Sequence, residues 1–401
     1  MPGFEWFGAE ERKHVNDVLE TGVLMRYGFD GPRKGIFKAN ELEKAITETF
    51  GCRYAQLTSS GTAALTTAMT ALGIGAGHEV IMPSFTFVAS FEAILSVGAT
   101  PVLADVDDTL GLSPAAVEAA ITPRTKAIMP VHMCGSMADM GALMDIAKRH
   151  NLLVLEDACQ AIGGTFGGKR LGTIGDAGTF SFDYVKTITC GEGGVVMTSN
   201  EATYRACDGY TDHGHDHLGA DRGADQHPFI GLNYRISELH AAVGLAQIGK
   251  LADILRVQRA NKKILKDALT TVEGITFRRL PDPDGDNAAF LSFFLPSADL
   301  AEAAATAIKA AGLPAFYWYA NNWHYIRQWH HLKDATALNP LLPAVREAIT
   351  ALANQDFSAS DAIMSRCLSI PISLNWSETD AQQKAGLLTR AVESVMVSET
   401  A

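Results

Sequence analysis

Long apolar runs are missing from this 401-residue chain. No stretch approaches the roughly 18 residues that a membrane span requires. Residues 1–11 hold no basic stretch followed by an apolar one, so a signal peptide is not expected. Cysteine is sparse: there are six, at positions 52, 134, 159, 190, 207 and 367, with no Cys-x-x-Cys among them. That pattern argues against a disulfide framework and a structural zinc site, and it suits a reducing cytoplasm. Positive charge is in deficit, 33 Lys and Arg against 45 Asp and Glu, for a net −12. A nucleic-acid or anionic-membrane partner therefore has no electrostatic support, although a local cluster of donors can still hold a small anion. No internal repeat or low-complexity segment is present. With 47% hydrophobic residues, the chain can bury a sizeable core.

The pattern that is there alternates. Short apolar runs at 79–83, 100–106, 126–131, 152–156, 178–182 and 194–198 are bounded by Gly, Pro or Asp, as buried strands are. Helical patterns at 61–72, 86–97, 114–121 and 137–150 lie between several of them. Strand–helix repetition predicts an α/β fold with a mostly parallel sheet between helices. Ligands in such sheets collect beyond the carboxyl ends of the strands. A helix over 8–21 and a basic arm at 26–38 precede this region, and a further helix runs from about 41 to 50. One long helix is expected from Ile236 to Leu269. A strand at 290–295 and helices at 298–311 and 378–395 follow. The expected division is a helix and arm over 1–40, a large domain over 41–250 and a smaller α+β domain over 251–401.

Four segments could carry chemistry. In Thr58-Ser59-Ser60-Gly61-Thr62-Ala63-Ala64-Leu65, small hydroxylated residues lead into a helix, whose free amides and dipole favour a phosphate. Ser and Thr also cap ordinary helices. Asp157 closes the apolar run 152–156, where a buried carboxylate needs a partner. A protonated pyridine nitrogen would serve, and so would a helix start or a magnesium ion. Lys186 follows the strand end at Ser181 and precedes the glycine-rich turn Gly191-Glu192-Gly193-Gly194. In a partly dry pocket such a lysine can lose its proton and attack a carbonyl carbon. Asn233-Tyr234-Arg235 stands before a helix and could meet a phosphate or simply cap it.

Taken in order, these segments resemble the fold-type I sugar aminotransferases of the DegT/DnrJ/EryC1/StrS family. The resemblance rests on Ser60-Gly61-Thr62-Ala63-Ala64-Leu65, Pro83-Ser84-Phe85-Thr86-Phe87-Val88-Ala89, Glu156-Asp157-Ala158-Cys159-Gln160-Ala161, Ser181-Phe182 through Lys186, Gly191 to Gly194, and Asn233-Tyr234-Arg235. It implies pyridoxal 5'-phosphate, carried by Lys186 as a Schiff base, with Asp157 holding the ring nitrogen protonated. It further implies that Gln160 meets the ring's 3-oxygen and that Phe87 stacks on the ring. Ser60, Gly61 and Thr62, with the Ser181 hydroxyl, would cradle the phosphate. Asn233 would reach the phosphate from a partner subunit, making a homodimer with shared sites. Asp183 departs from the family pattern, where histidine is common.

The family's substrates are an amino acid, commonly glutamate or glutamine, and a nucleotide-linked keto sugar. Residues 1–8, 212–217 and 316–325 are similar to the transaminases that aminate the C8 aldehyde of a 3-deoxy-manno-octulosonate. Trp318 and Tyr319 in the aromatic run, with His215 and Arg26, are the candidate sugar contacts; Arg33 and Lys34 could join Arg26 on a sugar carboxylate. The aromatic run could simply be core or interface packing. Tyr, Trp, Asn and His together in a region poor in lysine nevertheless suit stacking on a sugar and bonding its hydroxyls, so substrate contact is expected. His213, His215 and His217, with Asp216 and Asp221, also suggest a metal-dependent hydrolase, but no metal is expected. A sensor that keeps the fold without catalysis would be expected to lack Lys186 or Asp157. A dinucleotide fold fails, because Gly73-Ile74-Gly75-Ala76-Gly77 follows a helix and lacks the required spacing.

Overall fold

The computed structural model describes residues 3–219, 223–333, 335–352 and 354–396. Its centre is a seven-stranded sheet. From one edge to the other the strands are Tyr54–Thr58, Gly194–Thr198, Ala177–Ser181, Leu153–Asp157, Thr125–Ile128, Glu79–Pro83 and Thr100–Ala104. Only Gly194–Thr198 runs against the rest. The strands Glu79–Pro83, Ala177–Ser181 and Gly194–Thr198 are buried along their whole length, as expected for a sheet covered on both faces. The carboxyl ends of Tyr54–Thr58, Glu79–Pro83, Leu153–Asp157 and Ala177–Ser181 therefore open on one side. The residues after those ends make the site.

A second sheet, entirely antiparallel, orders Thr276–Phe277, Phe290–Phe294, Cys367–Pro371 and Phe316–Tyr317. It shares an apolar core with the helices Leu251–Leu269, Ala298–Ala310 and Glu378–Met396. The expected single helix over 236–269 is two helices, Glu238–Ile248 and Leu251–Leu269. They part at Gly249 and Lys250, where the Lys250 amide bonds to Gln247 O. The Lys250 ammonium then reaches Trp6 O at 2.7 Å and Glu11 Oε1 at 2.5 Å. The residues at this break thus tie down the amino-terminal helix Ala9–Leu19. All six cysteines are free and five of them are buried. Among the described residues, no helix is long and apolar enough to cross a membrane.

Candidate active site

The turn after Tyr54–Thr58 delivers Ser60 as the N-cap of the helix Gly61–Ala71. Ser60 Oγ accepts from the Ala63 amide at 3.0 Å and Ser60 O accepts from the Ala64 amide. The two earlier amides, Gly61 and Thr62, have no partner among the described residues and lie at the positive end of the helix. Ser181, ending its strand, stands directly opposite. A Cβ at residue 61 would lie 2.7 Å from Ser181 Cβ and 3.0 Å from its Oγ, so only glycine leaves this approach open. Ser181 Oγ accepts from the Asp183 amide at 3.3 Å, which leaves its hydrogen for an anion.

Asp157 is 5% exposed at the end of Leu153–Asp157. Its Oδ2 accepts from Ser90 Oγ at 2.7 Å and its Oδ1 from the Cys159 amide at 3.2 Å. No described cation lies within ion-pair distance. A carboxylate buried among neutral donors suits a protonated ring nitrogen, and this is where the site best fits the expected cofactor. Burial, and then the Asp157 charge, push the Cys159 thiol up and keep it protonated. Gln160 Oε1 is taken by the Cys134 amide at 3.1 Å, so the NH2 of Gln160 remains as a donor for a ring oxygen. Beneath, His132 and Glu156 form a fully buried pair at 3.1 Å, and the amides of Gly172, Ile174 and Gly175 complete the Glu156 carboxylate.

Lys186 sits in the loop after Ser181, its amide bonded to Asp183 O and its carbonyl to the Gly3 amide. Ser60, Gly61, Thr62, Phe87, Asp157, Gln160, Ser181 and Lys186 line one cavity of about 670 Å³. Phe87 projects from the start of the helix Val88–Ser96, with Trp323 5.7 Å from its ring and nearly parallel. Trp318 lines the same cavity. Tyr319 does not: its ring packs on Tyr325 at 5.4 Å.

Arg26 does not reach the cavity. It is 4% exposed and pairs with Glu43 at 2.6 Å, while Arg33 pairs with the buried Glu238 and bonds the carbonyls of Met25 and Gly28. The basic arm thus spends both guanidinium groups on packing. His215 lies outside the cavity too, facing Asp225 at 3.3 Å. His217 bridges Asp208 at 2.7 Å and Asp212 at 3.1 Å, and His213, in the left-handed region at φ 58°, is exposed. Among the described residues no group of three His, Cys, Asp or Glu could hold a metal ion; Asp221 lies outside them. Asn233 is exposed, bridged to Asp212 and flanked by exposed Phe229, Ile230 and Leu232.

Sequence reasoning did not reach Ser90 or Trp376, and it marked Phe4, Glu5 and His324 only as members of the segments 1–8 and 316–325; all five line the cavity. The Glu5 carboxylate accepts from Ser373 Oγ and the Leu374 amide at 2.7 Å and from the Asn375 amide at 3.1 Å. Phe4 stacks on Tyr184 at 4.7 Å. The amino-terminal segment is thus strapped between the lysine loop and the second sheet. Burial, and then the Lys186 charge, depress His324 to about 3, so its imidazole is neutral. Among the described residues the lining carries one cation, Lys186, against Glu5, Asp157, Asp183 and Glu192.

The profile of the DegT/DnrJ/EryC1/StrS aminotransferase family matches residues 7–387. GDP-perosamine synthase of Caulobacter vibrioides is 44% identical over 256 residues, 62% of this chain and 64% of that protein. A putative L-glutamine:3-amino-2,3-dideoxy-scyllo-inosose aminotransferase of Streptoalloteichus tenebrarius is 37% identical over 275 residues, 67% of this chain and 64% of its own. The matched region thus spans just under two thirds of the length of these curated relatives. Among solved structures, 3-amino-5-hydroxybenzoic acid synthase superposes with a TM-score of 0.80 at 31% identity, over 97% of both chains. An aminotransferase from Psychrobacter cryohalolentis gives 0.84 at 27% identity, over 98% of both.

Proposed function

The chain belongs to the DegT/DnrJ/EryC1/StrS aminotransferase family, and on that premise we propose that it moves an amino group from glutamate to an oxo sugar with pyridoxal 5'-phosphate. The observation that supports this most is the convergence of Lys186 and a buried, cation-free Asp157 on one cavity beside the unpartnered amides of Gly61 and Thr62. When bound, the cofactor supplies a carbonyl carbon for amines and a ring that takes up electrons from the carbon losing its proton.

In this reading the chain's own groups divide the work. Lys186 Nζ would hold the cofactor and, once released from it, would serve as the base that takes up and returns the substrate's proton. Asp157 faces the ring nitrogen and keeps it charged. The free NH2 of Gln160 donates to the ring oxygen. Phe87 covers one ring face, where an aromatic contact adds about 1 kcal/mol beyond burial. Gly61, Thr62 and Ser181 donate to the phosphate, and Asn233 of a second copy completes it, so the active unit is a homodimer. Trp318 and His324 face the sugar.

The acceptor is either the C8 aldehyde of a 3-deoxy-manno-octulosonate or a nucleotide-linked keto sugar. Segments 1–8, 212–217 and 316–325 favour the first. The 44% identity to GDP-perosamine synthase favours the second. Both are anionic, and Lys186 is the one cation among the described residues of the lining, so the acidic part of either would be met by groups outside that lining, those of a partner subunit included.

The test is the visible spectrum of the protein with pyridoxal phosphate, for wild type and Lys186→Ala, before and after glutamate. A band that bleaches with glutamate, absent from the variant, supports cofactor, lysine and donor together. Adding each acceptor to the bleached enzyme then restores the band with one of them. A protein that takes up no pyridoxal phosphate sinks the reading.

A further inference from the structure

Ser90 occupies the first turn of Val88–Ser96 and is 1% exposed; Thr86, just before that helix, is fully buried. Neither hydroxyl caps the helix. Ser90 Oγ lies 2.7 Å from Asp157 Oδ2, and Thr86 Oγ1 lies 2.7 Å from Ser90 Oγ. An ionised carboxylate can only accept, so the Ser90 hydrogen points at Asp157. The Ser90 oxygen is then free to accept the Thr86 hydrogen. The direction of the whole chain of hydrogen bonds is set by the charge at its end. The Cys159 amide also donates to this carboxylate, at the longer distance of 3.2 Å.

We propose that Ser90, backed by Thr86, is a positioning residue that holds the Asp157 carboxylate ionised and aimed, so that the proton it shares with the bound ring stays on the ring nitrogen. The proposal rests on the reading that this cavity holds pyridoxal phosphate. A donor to the charged form of an acid favours that form, and polarised hydroxyl chains strengthen the effect where water is excluded. Without the donor, the carboxylate competes better for the ring proton and the ring takes up electrons less readily. No bond other than that to the proton is made or broken. The same turn carries Phe87, so one helix start governs both the face of the ring and the acid at its nitrogen.

The experiment loads the full-length protein with pyridoxal phosphate carrying ¹⁵N in the ring and records the ring-nitrogen shift by NMR. Wild type and Ser90→Thr are expected at the protonated value, and Ser90→Ala displaced toward the unprotonated one. The glutamate half-reaction should slow about tenfold or more in Ser90→Ala, the scale of a hydrogen bond to a charged group, and recover in Ser90→Thr. An unmoved ring shift in Ser90→Ala overturns the proposal however far activity has fallen, since a merely structural role would leave the shift in place. Should Ser90→Ala not fold, Thr86→Val decides: its shift must move in the same direction by a smaller step, and an unmoved shift overturns the proposal. A wild type that takes up no cofactor overturns the parent reading and this one together. Normal uptake with an unmoved shift overturns this one alone.

Discussion

Asn321 Oδ1 lies 2.8 Å from His324 Nδ1 and 3.0 Å from the Trp323 amide. A backbone amide can only donate, so the Asn321 atom it meets is oxygen, and His324 Nδ1 must carry the hydrogen. The lone pair is therefore on Nε2, which has no partner among the described residues, on a ring that lines the cavity. Phe87 and Trp318 hold that ring at 5.3 and 4.9 Å. His324→Phe keeps the packing and removes the acceptor. It should cost about tenfold in kcat/KM for the sugar, the scale of one lost hydrogen bond, and leave the glutamate half-reaction within about twofold. Single-turnover rates of the two half-reactions check this; equal losses in both would sink the assignment. Because His324 is depressed to about 3, any activity limb between about pH 5 and 8 should persist in the variant.

Gly61→Ala places a Cβ 2.7 Å from that of Ser181. Either the helix start or the serine must shift, and the phosphate donors separate. Cofactor affinity should fall about tenfold or more, read by titrating the protein with pyridoxal phosphate, while the thermal midpoint changes little. Unchanged affinity would remove Gly61 from the phosphate cradle.

If Asn233 serves the partner's site, Lys186→Ala and Asn233→Ala homodimers should each be impaired. Mixing and reassembling them should then restore about a quarter of wild-type activity, since about half the dimers are mixed and each holds one intact site. A mixture no better than its components would place Asn233 in its own chain's chemistry or in none.

His217 yields a pH dependence of stability. Burial alone would lower it, but its hydrogen bonds to Asp208 and Asp212 raise it from 6.5 to about 9. A raised folded-state value means that this contribution is complete below 6.5 and is lost as pH rises through about 9. Allowing for solvent screening of a half-buried ring, the loss is on the order of 1 kcal/mol. Urea unfolding at pH 6 and pH 9.5 should show it, and His217→Phe should flatten it.

Much of this fold is legible where apolar residues alone decide the conformation. The strands 79–83, 153–157, 177–181 and 194–198 lie within a residue of where the short apolar runs put them. The strand Tyr54–Thr58 is not legible, because its Gln56 is polar yet buried, its NH2 taken up by Tyr27 and Thr211 from distant parts of the chain. The arm at 26–38 misleads for the same reason, since nothing local reveals that Glu43 and Glu238 wait for its arginines. The proposed cofactor contacts come from ordered motifs at strand ends and helix starts. Ser90 does not, since its role depends on one hydrogen bond to Asp157, and the run 316–325 marks His324 without its bond to Asn321.

The Glu5 strap bears on how relatives of this chain can diverge. Its carboxylate meets three donors 368 to 370 positions away, and the next residue back, Phe4, lies flat on Tyr184. A drift at either end leaves the other without its partners. Positions 4 and 5 should therefore covary with 184 and 373–375 across the family's descendants, as a single inherited unit assembled from three separate stretches of chain.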